Sequence, residues 1–362
     1  MKRVGRIVGR VILAINMGLA ICFILIAYSS YVHPAAHPLV SCVGLTFPFF
    51  LALTLCFFIF WLFVNYRYAL VSLIALLICF PQIRTYVPIH SVTDVPAGSL
   101  KVLSYNVMGF NGLKKVKGQN EILNYLVQSG ADVICLQEYA ETKDRKYLTR
   151  KEILSALKAY RYRRIESVGG KGGGNQMACF SKYPILSADK VDYESDYNGS
   201  MVYKLKIGDD TLMLINNHLE SNKLTKEDKV IYEEMLNKPE AKKVKSGLKH
   251  LVRKLAEASV IRSKQAEAVA EVVEQSTYPS VIVCGDFNDA SISYTHRIMR
   301  KGLDDAFTES GRGLGISYNQ NKFYFRIDNI LISTNLEAFN CTVDRSIKES
   351  DHYPIWCYVK KR

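Results

Sequence analysis

The stretch Val281-Ile-Val-Cys-Gly-Asp-Phe-Asn288 decides how this chain is read. Four apolar residues run without a polar break, then end in glycine, a carboxylate, an aromatic ring and an amide. A strand this apolar needs cover on both faces. The polar residues at its end would then lie at a rim of the sheet. Other stretches repeat the design. Lys101-Val-Leu-Ser-Tyr-Asn106 ends in an amide, and Asp132-Val-Ile-Cys-Leu-Gln-Glu138 ends in a carboxylate. Leu212-Met-Leu-Ile-Asn-Asn-His218 ends in an imidazole. Asp328 lies inside Arg326-Ile-Asp-Asn-Ile-Leu331, and Ser350-Asp351-His352 precedes the last apolar run. Alone, each is bland: a lone Glu at a strand end is a solvated turn residue, and a lone Asp-His pair is a cap or a salt bridge. Together they predict one rim carrying amides, carboxylates and imidazoles, where layered α/β domains bind ligands.

Outward from these runs, β-rich segments are expected at 101–107, 131–138, 176–180, 202–207, 211–218, 280–286, 325–332 and 354–359. Helical patterns are expected at 117–128, 148–157, 226–275 and 294–300. Strands alternating with helices define a layered α/β domain over residues 95–362. The glycine-rich 169–174 lacks the Gly-Lys-Ser/Thr ending of a phosphate loop and reads as a flexible hairpin or loop. The basic stretch 223–254 reads either as a polyanion-binding surface or as the solvated face of a helical insertion diluted by glutamates. Few aromatics interleave it, which argues against a platform for stacking bases.

The N-terminal quarter is different. No Asp or Glu occurs before Asp94, and 11–66 holds no charged residue at all. A bilayer core takes roughly 20 apolar helical residues. Residues 1–90 are therefore expected to form a membrane anchor, with spans near 7–28 and 39–64 separated by His33-Pro-Ala-Ala-His-Pro38. A third apolar segment, 68–80, is short: either a span with snorkelling arginines or an interfacial helix. Lys2, Arg3, Arg6 and Arg10 argue for a cytoplasmic N-terminus. Three spans would put the following domain outside, as an integral inner- or plasma-membrane protein with an extracytoplasmic catalytic domain. Two would return it to the cytoplasm. A cleavable signal peptide fits less well, because further apolar segments follow and no small-x-small site closes the first.

The 362 residues carry 47 Lys and Arg against 34 Asp and Glu, with 49% hydrophobic residues. That excludes a disordered chain, a collagen-like fibre and a purely soluble protein. Nine cysteines, with no CxxC or metal spacing, exclude a disulfide-stapled mini-protein. Cys135 and Cys284 sit inside strand-like runs and read as reduced core residues.

The order Asn106, Gln137-Glu138, His218, Gly285-Asp286-Phe287-Asn288, Asp328 and Ser350-Asp351-His352 resembles the endonuclease/exonuclease/phosphatase superfamily over roughly 100–360. This chain would be a membrane-anchored, bacterial-type member. The resemblance implies a four-layer α/β sandwich of two packed mixed sheets flanked by helices, here preceded by two or three transmembrane helices. It also implies cleavage of a P–O bond by water with Mg²⁺, or Mn²⁺ in its place. Glu138 matches the main metal ligand, Asn106 the amide supporting the metal, and Asp351 a metal-proximal carboxylate. Asp286 matches the residue that orients or deprotonates water, with Asn288 beside it. His352 matches the imidazole that donates to a phosphoryl oxygen, and Asp328 the carboxylate that fixes its tautomer. His218 matches a histidine of the deoxyribonuclease and sphingomyelinase branches and is a general-acid candidate. Apurinic endonucleases carry an acidic residue where this chain has Met108, which weighs against that branch.

The reading is thus a membrane-anchored phosphodiesterase whose partners are a lipid bilayer and a phosphodiester, either nucleic acid or phospholipid. A phosphomonoesterase of small metabolites is the alternative chemistry. A non-catalytic binding module is the alternative of another class.

Overall fold

The computed structural model describes residues 2–170, 174–225, 227–228, 230, 232, 234, 241–320 and 324–362. Two six-stranded sheets build the domain. The first has the order β11-β12-β1-β2-β4-β3 and the second β5-β6-β7-β8-β10-β9. The strands of the first sheet are β1 (Leu100–Asn106), β2 (Val133–Tyr139), β3 (Tyr162–Ser167), β4 (Gln176–Ser181), β11 (Leu336–Val343) and β12 (Ile355–Lys361). Those of the second are β5 (Ile185–Lys190), β6 (Gly199–Ile207), β7 (Asp210–His218), β8 (Ser280–Asp286), β9 (Leu303–Asp305) and β10 (Asp328–Ser333). The pairs β1–β2 and β7–β8 are parallel and the remaining neighbours antiparallel, so both sheets are mixed.

Side chains alternate across each strand, and here both faces are apolar. Val102, Cys135, Cys179, Tyr203, Leu214, Ile282 and Cys284 fill the space between the sheets. Their neighbours Leu103, Ile134 and Leu136 turn outward onto Ile122, Leu126 and Ile153, on helices Glu121–Gln128 and Arg150–Ala156. On the far side Ile215, Val281, Val283 and Leu331 pack against Ala266 and Val269 of the helix Ala241–Glu274. The result is the expected four-layer sandwich. All nine cysteines are free, and those of the two sheets are buried.

Some boundaries move. The expected helix 117–128 begins only at Glu121, because the Asn120 side chain caps the Leu123 amide at 3.0 Å. The expected helix 226–275 runs as Ala241–Glu274. Most of 226–240, like 171–173 in the glycine-rich stretch, lies outside the described residues. Four strands were not anticipated: β3, β5, β9 and β11.

Before the sandwich, helices Lys2–Ala27, Phe47–Val64 and Tyr66–Ile78 form a bundle. Two apolar stretches, Ile7–Tyr31 and Pro38–Val64, are long enough to cross a membrane. Tyr66–Ile78 and Phe80–Tyr86, bent by 64°, form a third if taken as one span. Residues 38–46 open the second of these stretches in less regular form. They form a one-turn helix and a 3-10 turn, Val43–Thr46. Ser72 Oγ donates to Asn16 Oδ1 across the bundle at 3.0 Å, and such polar pairs hold apolar helices together. Tyr28 Oη donates to the Ile78 carbonyl, so the first and third helices end at the same level. Outward-facing Ile15, Ile21, Leu25, Ile59, Phe63, Ile74 and Leu77 stay exposed, far more apolar surface than a soluble monomer leaves open.

That end of the bundle docks on the sandwich. Arg297 Nε donates to the Ser30 carbonyl at 2.8 Å, and His33 Nε2 meets Glu267 Oε1 at 2.8 Å. Arg326 Nη2 donates to the Thr85 carbonyl at 2.9 Å, while its Nη1 lies 3.0 Å from Asp305 Oδ2. Burial pushes the Asp305 carboxyl up, but Arg326 and His296 outweigh it and hold it far below the usual range. Removing one partner of a buried pair leaves an uncompensated charge. We expect Arg326→Met to cost about 3–5 kcal/mol, read as a lowered thermal transition of the detergent-solubilised chain. An unchanged transition would show that the pair contributes nothing net.

Candidate active site

Parallel pairing sets the rim. The register places Asn106 beside Gln137 and His218 beside Asp286, so the carboxyl ends of β1, β2, β7 and β8 coincide. Antiparallel β10 starts there, with Asp328 beside Asp286. All eight residues singled out in the sequence line this rim or its mouth.

Asp286 sits at the centre, almost fully buried. Asn106 Nδ2 donates to Asp286 Oδ2 and to Glu138 Oε1, both at 3.2 Å. The Asn288 amide N–H donates to Asp286 Oδ1 at 2.8 Å. His218 Nε2 lies 3.7 Å from Asp286 Oδ2 and 3.6 Å from Glu138 Oε1. His352 Nε2 lies 3.6 Å from Asp286 Oδ2, and its Nδ1 meets Asp328 Oδ2 at 2.8 Å. Asn288 Nδ2 donates to the Leu219 carbonyl at 2.9 Å, which commits one amide proton to the scaffold. Ser350 Oγ donates to the Asn106 carbonyl at 2.7 Å, tying the loop of Asp351 and His352 to the end of β1.

Local backbone aims these groups. Glu138 has φ +50° at an irregularity in the β2–β4 pairing, which turns its carboxylate out of the pleat. Such conformations cost roughly 1–3 kcal/mol and concentrate at functional sites. Gly285 has φ +127°, and a Cβ there would lie 2.1 Å from the Asn217 carbonyl oxygen. Only glycine lets β7 and β8 approach this closely. Gly285→Ala is therefore expected to destabilise the domain by about 2–5 kcal/mol. A normal unfolding transition in the variant would contradict this.

Beneath the rim, polar residues join the sheets. Gln137 Nε2 donates to Asn216 Oδ1 at 2.6 Å, and Asn216 Nδ2 donates to the Leu136 carbonyl at 3.2 Å. Ser200 Oγ donates to Asn217 Oδ1, whose Nδ2 donates to the Cys284 carbonyl. Sequence reading passed over this network, although Asn216-Asn217 and Gln137 interrupt otherwise apolar runs. It also missed Tyr318, whose ring lies 5.2 Å from that of His352. Nothing in an irregular loop marks such a residue. Burial raises the Tyr318 hydroxyl to about 12, so it stays protonated.

Electrostatics follow the crowding. Burial raises Asp286, His352 lowers it, and the balance stands at about 6. Burial pulls His352 down, but Asp328 and Asp286 together lift it to about 10. Burial lowers His218, against the opposing pull of Asp286. Burial raises Glu138, against the hydrogen bond from Asn106.

A hard divalent cation fits this donor set. Glu138, Asp286, Asp328 and Asp351 bring four carboxylates to one rim, the oxygen-rich chemistry Mg²⁺ requires. Asp286, Asp328 and His352 place ligand atoms within 4.8 Å of one another. Asp328 Oδ1 is buried with no hydrogen-bond partner among the described residues. The basic stretch is largely paired where it is described: Lys223 with Glu220, Lys254 with Asp228, Arg253 with Glu257.

A two-sheet sandwich whose parallel strand ends gather carboxylates, amides and imidazoles at one rim is a layered α/β domain with a polar site at its strand ends. The sequence pattern of the Endonuclease/Exonuclease/phosphatase family matches residues 103–352, and the chain belongs to that family. A domain of unknown function, DUF8431, matches residues 9–86. No curated protein sequence matches. Among solved structures, the human Nocturnin catalytic domain with bound sulfate superposes with a TM-score of 0.54 at 14% identity, over 75% of this chain and 98% of that one. D. rerio TDP2 complexed with a single-strand DNA product gives 0.51 at 18%, over 73% and 100%. An endonuclease/exonuclease/phosphatase protein from Beutenbergia cavernae gives 0.50 at 13%, over 73% and 72%. These likenesses are of fold.

Proposed function

We propose that the protein is a membrane-anchored, divalent-metal-dependent phosphodiesterase, with 1–90 as anchor and 95–362 as catalytic domain. The observation that carries this reading is Asp286, a buried carboxylate held by Asn106 and Asn288 and facing two imidazoles. Glu138 and Asn106 would hold Mg²⁺, or Mn²⁺, with Asp351 nearby. The ion would supply Lewis-acid neutralisation of phosphate charge. Asp286 takes a proton from water as the water oxygen bonds to phosphorus, and Asn288 steadies Asp286. His352, kept cationic and oriented by Asp328, donates to a phosphoryl oxygen as charge builds there. The ester P–O bond breaks, the departing oxygen takes a proton from water at the open rim, and the proton held by Asp286 returns to solvent. His218, kept neutral by burial, donates a hydrogen bond to the departing oxygen. His218 is aimed from the end of β7 and His352 from the loop before β12.

The test uses the full chain in detergent with bis(para-nitrophenyl) phosphate and para-nitrophenyl phosphate, with Mg²⁺ and with EDTA. Metal-dependent cleavage of the diester is expected to exceed that of the monoester. Faster monoester cleavage would favour the phosphatase chemistry. Silence toward both would favour a binding module. The single-strand DNA product in the D. rerio TDP2 complex makes nucleic acid one diester to assay.

For topology, we propose a cytoplasmic N-terminus and an extracytoplasmic catalytic domain. Support comes from Ser30, His33 and Thr85, all at one end of the bundle, each bonded to the sandwich. The first and third helices both end there, which an odd number of crossings would produce. A C-terminal tag should be reachable from outside intact cells. Protection until lysis would favour two crossings.

A further inference from the structure

The rim opens into a cavity of about 480 Å³ with a mixed lining. Glu138, His218, Asp351 and His352 belong to it, with Lys223 and Arg262 as its cations. Its apolar share comes from Cys42 and Leu45, in the segment between the first two long helices, and from Leu248, Leu251, Val252 and Leu255 of the helix Ala241–Glu274. Leucines at 248, 251 and 255 follow the three- and four-residue spacing that lines one helix face. Leu45 and Thr46 stand immediately before Phe47, where the second long apolar helix starts. The catalytic groups thus share a cavity with the entrance to the apolar bundle. Gly44 makes that juxtaposition: a Cβ on it would meet the Ile292 carbonyl oxygen at 2.1 Å, so the segment lies directly on the catalytic domain.

Building on the phosphodiesterase reading above, we infer that the substrate is an amphiphile, a lipid phosphoester whose phosphate enters the acidic rim while its first methylenes lie along the leucine wall. The helix face that lines the cavity, Leu248, Leu251 and Leu255, is aliphatic where a polynucleotide would need a run of stacking faces; of the three aromatic residues in the lining, Tyr232, Tyr318 and Phe325, Tyr318 is already packed on His352. The cavity holds a head group and the start of a chain, and the bundle beside it is where the rest of a lipid resides. Each buried methylene adds affinity.

The experiment titrates ethyl, butyl and octyl phosphate against the full chain in amphipol, by calorimetry and by competition with bis(para-nitrophenyl) phosphate. Affinity is expected to rise at least about tenfold from ethyl to octyl phosphate. Leu248→Gln, at a half-exposed position that tolerates a polar side chain, and Leu255→Gln should flatten that series. An affinity independent of chain length would overturn the inference and leave the hydrolase reading standing. So would oligothymidylate binding more tightly than octyl phosphate, which would favour nucleic acid. Chain-length-dependent binding with no diester hydrolysis would uphold the lipid groove and sink the hydrolase reading instead.

Discussion

Asp286→Asn is expected to lower turnover by about 10²–10⁴-fold, the range a positioned general base contributes, while the domain stays folded. The substitution keeps the shape of the side chain and removes its charge. The Asn288 amide still finds Oδ1 at 2.8 Å, while Asn106 Nδ2 loses its acceptor at Oδ2 and keeps the one at Glu138 Oε1. The folded state loses little, because burial is what raises Asp286 to about 6, a sign that the fold tolerates the charge rather than relying on it. The chemistry loses its proton acceptor. His352 Nε2 and His218 Nε2, at 3.6 and 3.7 Å, cannot substitute. His352 is held cationic by two carboxylates, and His218 is the hydrogen-bond donor to the departing oxygen. The measurement is kcat at saturating Mg²⁺, with circular dichroism as the check on folding. A folded variant within about threefold of the parent would remove Asp286 from the role of base.

What could be read in the sequence follows from where each element sits. The eight anticipated strands are the interior ones: β1, β2, β4, β6, β7, β8, β10 and β12. Those missed, β3, β5, β9 and β11, are the four sheet edges. An interior strand covered on both faces must be apolar throughout, as Val281-Ile-Val-Cys284 is. An edge strand stays partly in water and keeps charges that block further pairing. Tyr162-Arg-Arg-Ile-Glu-Ser167 and Ile185-Leu-Ser-Ala-Asp-Lys190 therefore lack the apolar continuity that marks a strand. The rim residues were legible for the opposite reason: a polar group ending an apolar run has no place in a core. Tyr318 and the docking of 38–46 were not legible. Both depend on irregular backbone, and their apolar residues resemble those of any membrane segment. The apolar stretch 39–64 was legible as a span, but hydropathy does not register that Gly44, near its start, lies against the catalytic domain.

Glu138→Gln should weaken apparent Mg²⁺ affinity by at least about 100-fold, since even residues that merely support a ligand cost 10–100-fold. Two placements of the ion compete at this rim. One uses Glu138 and Asn106. The other uses the cluster Asp286, Asp328 and His352. Three features favour the first. Asp328 Oδ2 is already committed to His352 Nδ1 at 2.8 Å, and a cation on the same carboxylate would face a charged imidazole. Mg²⁺ dehydrates reluctantly and keeps several waters, which Glu138, half exposed at the mouth, accommodates and fully buried Asp328 does not. The backbone at Glu138 is strained, which a stray surface carboxylate would not need. Glutamine preserves that backbone and the acceptor for Asn106 Nδ2 while removing the charge. Mn²⁺ binding followed by electron paramagnetic resonance reads the site without activity. An unchanged titration in Glu138→Gln, with binding lost in Asp328→Asn, would move the ion to the histidine cluster and leave Glu138 as a neighbour.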